Sequence, residues 1–156
     1  MNRESLVRAA YAEIGTKEDN NDNRTKYGFW LANELKDPSW NGVAWCMIFV
    51  AWVYAKVGLY LGNAEYIKKL AWVPTALKIW IAEGRKTEEP QAGDLAIFNW
   101  DKTGEPEHVS MFIAWIIPNT LFISIEGNIG NRVWPQLRTM EFVEGFFDML
   151  RSPNTL

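Results

Sequence analysis

The chain has one cysteine and one histidine among its 156 residues. A single cysteine excludes an internal disulfide, and one histidine beside it leaves no Cys/His ligand set for a structural zinc. Basic excess is missing as well: 16 Lys and Arg stand against 19 Asp and Glu, a net charge of -3. Nucleic-acid binding usually needs the opposite balance, so no nucleic-acid partner is expected. Long apolar runs are absent too. AWCMIFVAWVYA, with about 12 residues, falls short of the ~20 that a membrane-spanning helix requires, so no membrane insertion is expected. The opening MNRESLVRAAYAEIG carries scattered charge and no apolar core of a leader, and it predicts no signal peptide. Neither an internal repeat nor a low-complexity tract breaks the chain.

What remains is ample core material, 48% hydrophobic and 14% aromatic, enough for a single domain over residues 1–156. The first half reads as helical. Asn2 caps a helix bearing Leu6, Ala9, Ala10 and Ile14 that ends at Gly15. Residues 26–35 form a second helix, Pro38 and Gly42 mark a loop, and a third helix runs from Trp45 to about Lys56 with an apolar stripe of Ile48, Phe49, Trp52 and Val53. Short helices follow over 63–72 and 75–83. After RKTEEPQAGD the period changes, and LAIFNW, HVSMFIAWII, TLFISIEG, VWPQLRTM and EFVEGFFDML read as strands. The fold class is therefore α+β, with N-terminal helices packed on a C-terminal antiparallel sheet of about five strands.

Three places can carry chemistry. Cys46 opens the third helix, where the helix dipole and unpaired first-turn N–H groups favour a thiolate and can serve an oxyanion. Free cysteine is also among the most buried residue types, so the segment alone favours core; taken with the two places that follow, Cys46 reads as the exposed first-turn tip of that core helix. His108 stands where a polar loop becomes a strand. Imidazole is the usual base for a cysteine nucleophile, although a lone histidine at a strand start is also a common packing residue. The run FISIEGNIG ends a strand on Glu126, Gly127 and Asn128, which reads as a turn or as a group that orients the imidazole.

In this order the residues resemble the CHAP family, cysteine, histidine-dependent amidohydrolases and peptidases that cut bacterial peptidoglycan. The likeness lies in AWCMIFVAWVYAKVG, PQAGDLAIF, EHVSMFI and IEGNIG, and upstream in AEIGTKEDNNDNRTKYGFW. It implies a papain-like fold with Cys46 as nucleophile, His108 as general base and later acid, Glu126 as the residue orienting the imidazole, and Asn128 as a fourth member. The implied reaction is attack of the thiolate on an amide carbonyl, an oxyanion held partly by the Cys46 N–H, and a thioester cleared by water. The second oxyanion donor is unassigned.

The same resemblance makes Trp45, Tyr27 and Trp100 substrate-binding candidates. No cofactor is required, with calcium as an alternative. Asp19, Asn21 and Asn23 alternate as in the first half of an EF-hand loop, without its central Gly or final Glu, and Asp37 is the one acidic residue in the loop just before the nucleophile. The partner implied is bacterial peptidoglycan, met by a monomer at the cell wall, reached with a holin or as an isolated domain without a wall-binding module. N-acetylmuramoyl-L-alanine amidase and peptide endopeptidase stay open. The rival readings are a non-catalytic wall-binding or virion structural module of the same fold, and an NlpC-type endopeptidase, disfavoured because Trp45-Cys46-Met47 replaces its usual Asp-Cys before a small residue.

Overall fold

A computed structural model describes residues 2–152. Asn2 caps helix α1 (Arg3–Tyr11), its side chain accepting from the Ser5 N–H. Thr25 caps α2 (Lys26–Leu35) by accepting from the Gly28 N–H, and Lys36 ends it in the left-handed conformation. A 3-10 turn at Pro38–Trp40 leads into α3 (Cys46–Lys56), followed by α4 (Ala64–Leu70) and α5 (Val73–Ala82). Helix α5 begins two residues before the expected 75 because Pro74 fits the first turn, where its missing N–H costs no hydrogen bond. No helix among the described residues is long and apolar enough to cross a membrane.

Among the described residues the sheet is antiparallel with six strands: β1 (Lys86–Thr87), β2 (Leu95–Phe98), β3 (His108–Ile117), β4 (Leu121–Ile129), β5 (Arg132–Thr139) and β6 (Val143–Phe147), in the order β1-β6-β2-β3-β4-β5. The five expected strands are present. The sixth, β1, is two residues pairing with Phe146 and Phe147 at the sheet edge, too short to show a period in sequence. Pro135 is tolerated because β5 lies on the opposite edge.

Helix α3 is the centre of the molecule. Eight of its residues are buried, Cys46 to Ala51 without a break and then Val53 and Tyr54, so it is buried nearly all round, where a single stripe was expected. Trp52 from that stripe lies at the half-exposed side. A helix apolar on every side has neighbours on every side: α1, α2 and α4 among the helices, and β3 and β4 of the sheet, with Leu95, Ile97, Val109, Met111 and Ile125 in the same core cluster. A second apolar cluster of Ala96, Phe98, Phe112, Phe122 and Phe146 covers the other sheet face, and β2 is accordingly buried throughout. The PQAGDL segment is scaffold. Gln91 N–H donates to Asp94, Asp94 pairs with Arg3 of α1, and Gly93, in the left-handed region, lies against Leu6.

The approach of α3 to the end of β4 is set by Gly127. A Cβ there would lie 2.6 Å from the Phe49 Cβ, so a side chain would wedge the helix off the strand. Gly127→Ala should destabilise the fold by about 1–3 kcal/mol, the usual cost of overpacking, measured as a lowered urea midpoint with an unchanged m-value; an unchanged midpoint would mean that helix and strand have room to part.

Candidate active site

The first turn of α3 begins at Cys46, and its N-cap residue, Trp45, contributes no capping side chain. The N–H groups of that turn stay available. The β3–β4 ladder, meanwhile, ends at the pair Met111–Ile125. Beyond that point the strands part, and the Val109 N–H donates to the Cys46 sulfur together with the Met47 N–H. The thiol thus occupies the notch between two strand ends, at the positive end of a helix. It is 6% exposed, recessed where an exposed tip was expected, because α3 is enclosed on nearly every side.

His108 opens β3, and Glu126 lies near the end of the antiparallel β4, so both come to the same end of the sheet. His108 Nε2 and Glu126 Oε2 are 2.9 Å apart. This leaves Nδ1 for the hydrogen bond that the imidazole makes with Cys46. Burial opposes a charged thiolate, but the His108 hydrogen bond and charge and the two backbone donors outweigh it and hold the Cys46 pKa below its usual value. Burial likewise opposes the imidazolium, and Cys46 and Glu126 push His108 up to about 9 against it. Thiol and imidazole together favour a thiolate–imidazolium pair.

Glu126 is fully buried. Burial alone would raise its pKa, yet it is lowered to about 2, chiefly by Arg138, then by His108 and Ser124. Arg138 donates from Nε to Oε1 and from Nη2 to Oε2, both at 2.8 Å, and Ser124 Oγ donates to Oε1 at 2.6 Å. Sequence reasoning missed both residues. Ser124 sits two positions before Glu126 on the same strand face, a signal that period 2 contains, whereas Arg138 comes from a strand whose register only the fold reveals.

The other predicted residues fall elsewhere. Asn128 adopts φ 63° in the irregular end of β4, half-buried, without a side-chain hydrogen bond to Cys46, His108 or Glu126. Trp45 does not line a cleft. It is fully buried, stacked on Tyr27 with ring centroids 5.5 Å apart, and its Nε1–H donates to Glu18. Tyr27 is likewise core, donating its hydroxyl to Glu13. A buried indole or phenol needs an acceptor, and both find one in the loop before α2 rather than in a ligand. Trp100 does reach the site, half-buried with its ring centroid 5.9 Å from the His108 imidazole.

In the loop of Asp19, Asn21 and Asn23, both asparagines are left-handed, the Asn23 N–H donates to Glu18, and Asn21 accepts from Asn131. Asp37 caps the 3-10 turn by accepting from Ser39. Among the described residues no three His, Cys, Asp or Glu side chains gather as a metal site.

Beside Cys46 opens a recess of about 170 Å³, walled by Ala44, Ala71, Val73, Pro74 and Pro106, with Trp72 at its rim and Glu105 and Glu107 across from it. Trp72 is 63% exposed, a large apolar surface that sequence reasoning also missed.

A model of the CHAP domain family matches residues 38–128, a span holding Cys46, His108 and Glu126. The chain belongs to the CHAP family. Among solved structures, this CHAP domain is similar to one titled as the crystal structure of a wild type endolysin, LysIME-EF1, with a TM-score of 0.61 and 14% identity over 98% of this chain. The match spans 65% of the length of that endolysin chain, and at this identity it bears on the fold alone. No curated protein matches the chain in sequence.

The site makes a prediction about pH. A thiol held low by His108 should react with iodoacetamide at pH 6 much faster than a free cysteine, and His108→Ala should return the rate to that of an ordinary thiol. An unreactive wild-type Cys46 would instead identify a sealed core residue.

Proposed function

We propose that this CHAP domain is a peptidoglycan hydrolase that cleaves an amide bond through a Cys46 thiolate, in bacterial lysis of the phage type. The observation that carries the reading is the chain of contacts from Cys46 to His108 to Glu126 at the uncapped start of α3. In this reading the thiolate attacks the amide carbonyl. The Cys46 N–H steadies the oxyanion, and the imidazolium gives its Nδ1 proton to the departing amine. The neutral imidazole then takes a proton from water, which opens the thioester and frees the acid.

The recess beside the thiol supports a small residue next to the scissile bond, and Trp72 supports a flat sugar or peptide face at the rim. Both suit the alanine-containing stem of peptidoglycan, cut either where it joins the glycan or within the peptide.

Turbidity of purified walls tests the reaction. Wild type should clear them, and Cys46→Ala should slow clearing by at least ~10³-fold, since residues acting as one unit lose nearly all catalysis together. Equal clearing by the mutant would end the thiolate mechanism. Mass spectrometry of the released fragments fixes the bond: a new amino-terminal alanine on intact stems indicates the amidase, any other new amine the endopeptidase. Glu126→Gln should lower the melting temperature, because its NH2 faces donors that the carboxylate accepts, and lower kcat/KM by about 10²-fold in the protein that remains folded, because the amide cannot compensate the imidazolium.

A further inference from the structure

The carboxylate that orients His108 is itself held by a group that contacts neither thiol nor imidazole. Arg138 lies on β5 opposite Phe122 of β4, and its guanidinium fork grips both oxygens of Glu126 at 2.8 Å. One of those oxygens, Oε2, is also the partner of His108 Nε2 at 2.9 Å. When the imidazole is protonated, two cations are bonded to a single oxygen. The guanidinium also lies 4.8 Å from the centroid of Trp100 and 5.6 Å from that of Phe98, and Trp100 in turn sits against the imidazole. The same indole therefore touches Arg138 and His108.

We propose that Arg138 is a positioning residue that sets the proton affinity of His108 through Glu126. A buried carboxylate given wholly to an imidazolium would bind its proton too firmly for release to a leaving amine. Arg138 takes part of that charge and adds a repelling cation within two hydrogen-bond lengths of Nε2. Its fork also prevents the carboxylate from turning away when the proton moves, which a lysine, as a point charge, would not do. The groups facing His108 are Cys46 from α3, Glu126 with its Ser124 donor from β4, Arg138 from β5, and the rings of Phe98 and Trp100. Glu107, adjacent in the chain, spends its carboxylate on the Trp100 N–H. Of these, Arg138 is the one permanent cation.

His108 is the sole histidine, so its ring proton gives an unambiguous NMR titration. In a Cys46→Ala background, which removes coupling to the thiol, Arg138→Gln should raise the His108 midpoint by about one unit. Arg138→Lys should leave it within a few tenths of the parent. With Cys46 restored, Arg138→Gln should lower kcat about tenfold with little change in KM and carry the alkaline limb of the pH profile upward. A residue that only stapled β5 to β4 would lower the melting temperature and leave the midpoint in place, and an unchanged or lowered midpoint overturns the proposal.

The wild type provides a second measurement should Arg138→Gln fail to fold. The Arg138 Nε proton should exchange slowly, and its shift should follow the His108 titration; free exchange with no response overturns the proposal equally. The catalytic consequence rests on the hydrolase reading, but the titration does not. A shifted midpoint in a protein that leaves walls intact sinks the hydrolase reading alone, and an unshifted midpoint in one that clears walls sinks only the role of Arg138.

Discussion

Glu126 is a carboxylate with no access to water, and its charge has to be balanced by protein groups. An unpaired carboxylate at that depth would cost several kcal/mol or take up a proton. It escapes both by accepting four hydrogen bonds, two from Arg138, one from Ser124 and one from His108. Those donors come from three neighbouring strands, β3, β4 and β5, so the order of the sheet and the ionisation of one side chain are a single constraint. Lose the β4–β5 register and the charge is stranded; lose the charge and His108 has no fixed partner.

The same bargain is repeated one step along. The thiolate of Cys46 is also buried, and burial is the largest influence on it, in the wrong direction. The balance is restored by an imidazolium and two N–H groups that the secondary structure leaves unspent, one because α3 lacks a capping side chain and one because the β3–β4 ladder stops early. Both would be satisfied elsewhere in a more regular protein. The missing bond of a strand and the missing cap of a helix meet at one sulfur, and Gly127, by letting Phe49 come close, holds them in register.

Much of this was legible in sequence, and the reason is locality. Helix caps such as Asn2, stops, and the change of period after residue 94 are written in neighbouring residues, and so the helices and five of the six strands could be read directly. Cys46, His108 and Glu126 stand at element ends, which pattern also locates, and the family resemblance ties them into one order. What pattern does not contain is the partner of a side chain. Trp45 next to Cys46 looks like a cleft residue until Glu18, far away in the chain, is seen to hold its indole. Arg138 looks like a solvated charge until β5 is paired. The depth of Cys46 was misjudged for the same reason, since exposure depends on which elements lie across α3.

The division between buried and exposed parts also separates two properties that a hydrolase has to combine. Thiol, imidazole and carboxylate are all within 7% of full burial, and their geometry is fixed by core packing. The accessible surface next to them is formed by Trp72 at the start of α5 and by Glu105 and Glu107 in the loop before β3. Neither segment contributes a hydrogen bond to Glu126. Under the hydrolase reading, a change at Trp72 or Glu105 therefore alters the recess without disturbing the charges around Cys46, whereas Glu126 and Arg138 line no part of that recess. In that reading, choice of substrate lies in the segments flanking the recess, and cleavage lies where the start of α3 meets the ends of β3 and β4.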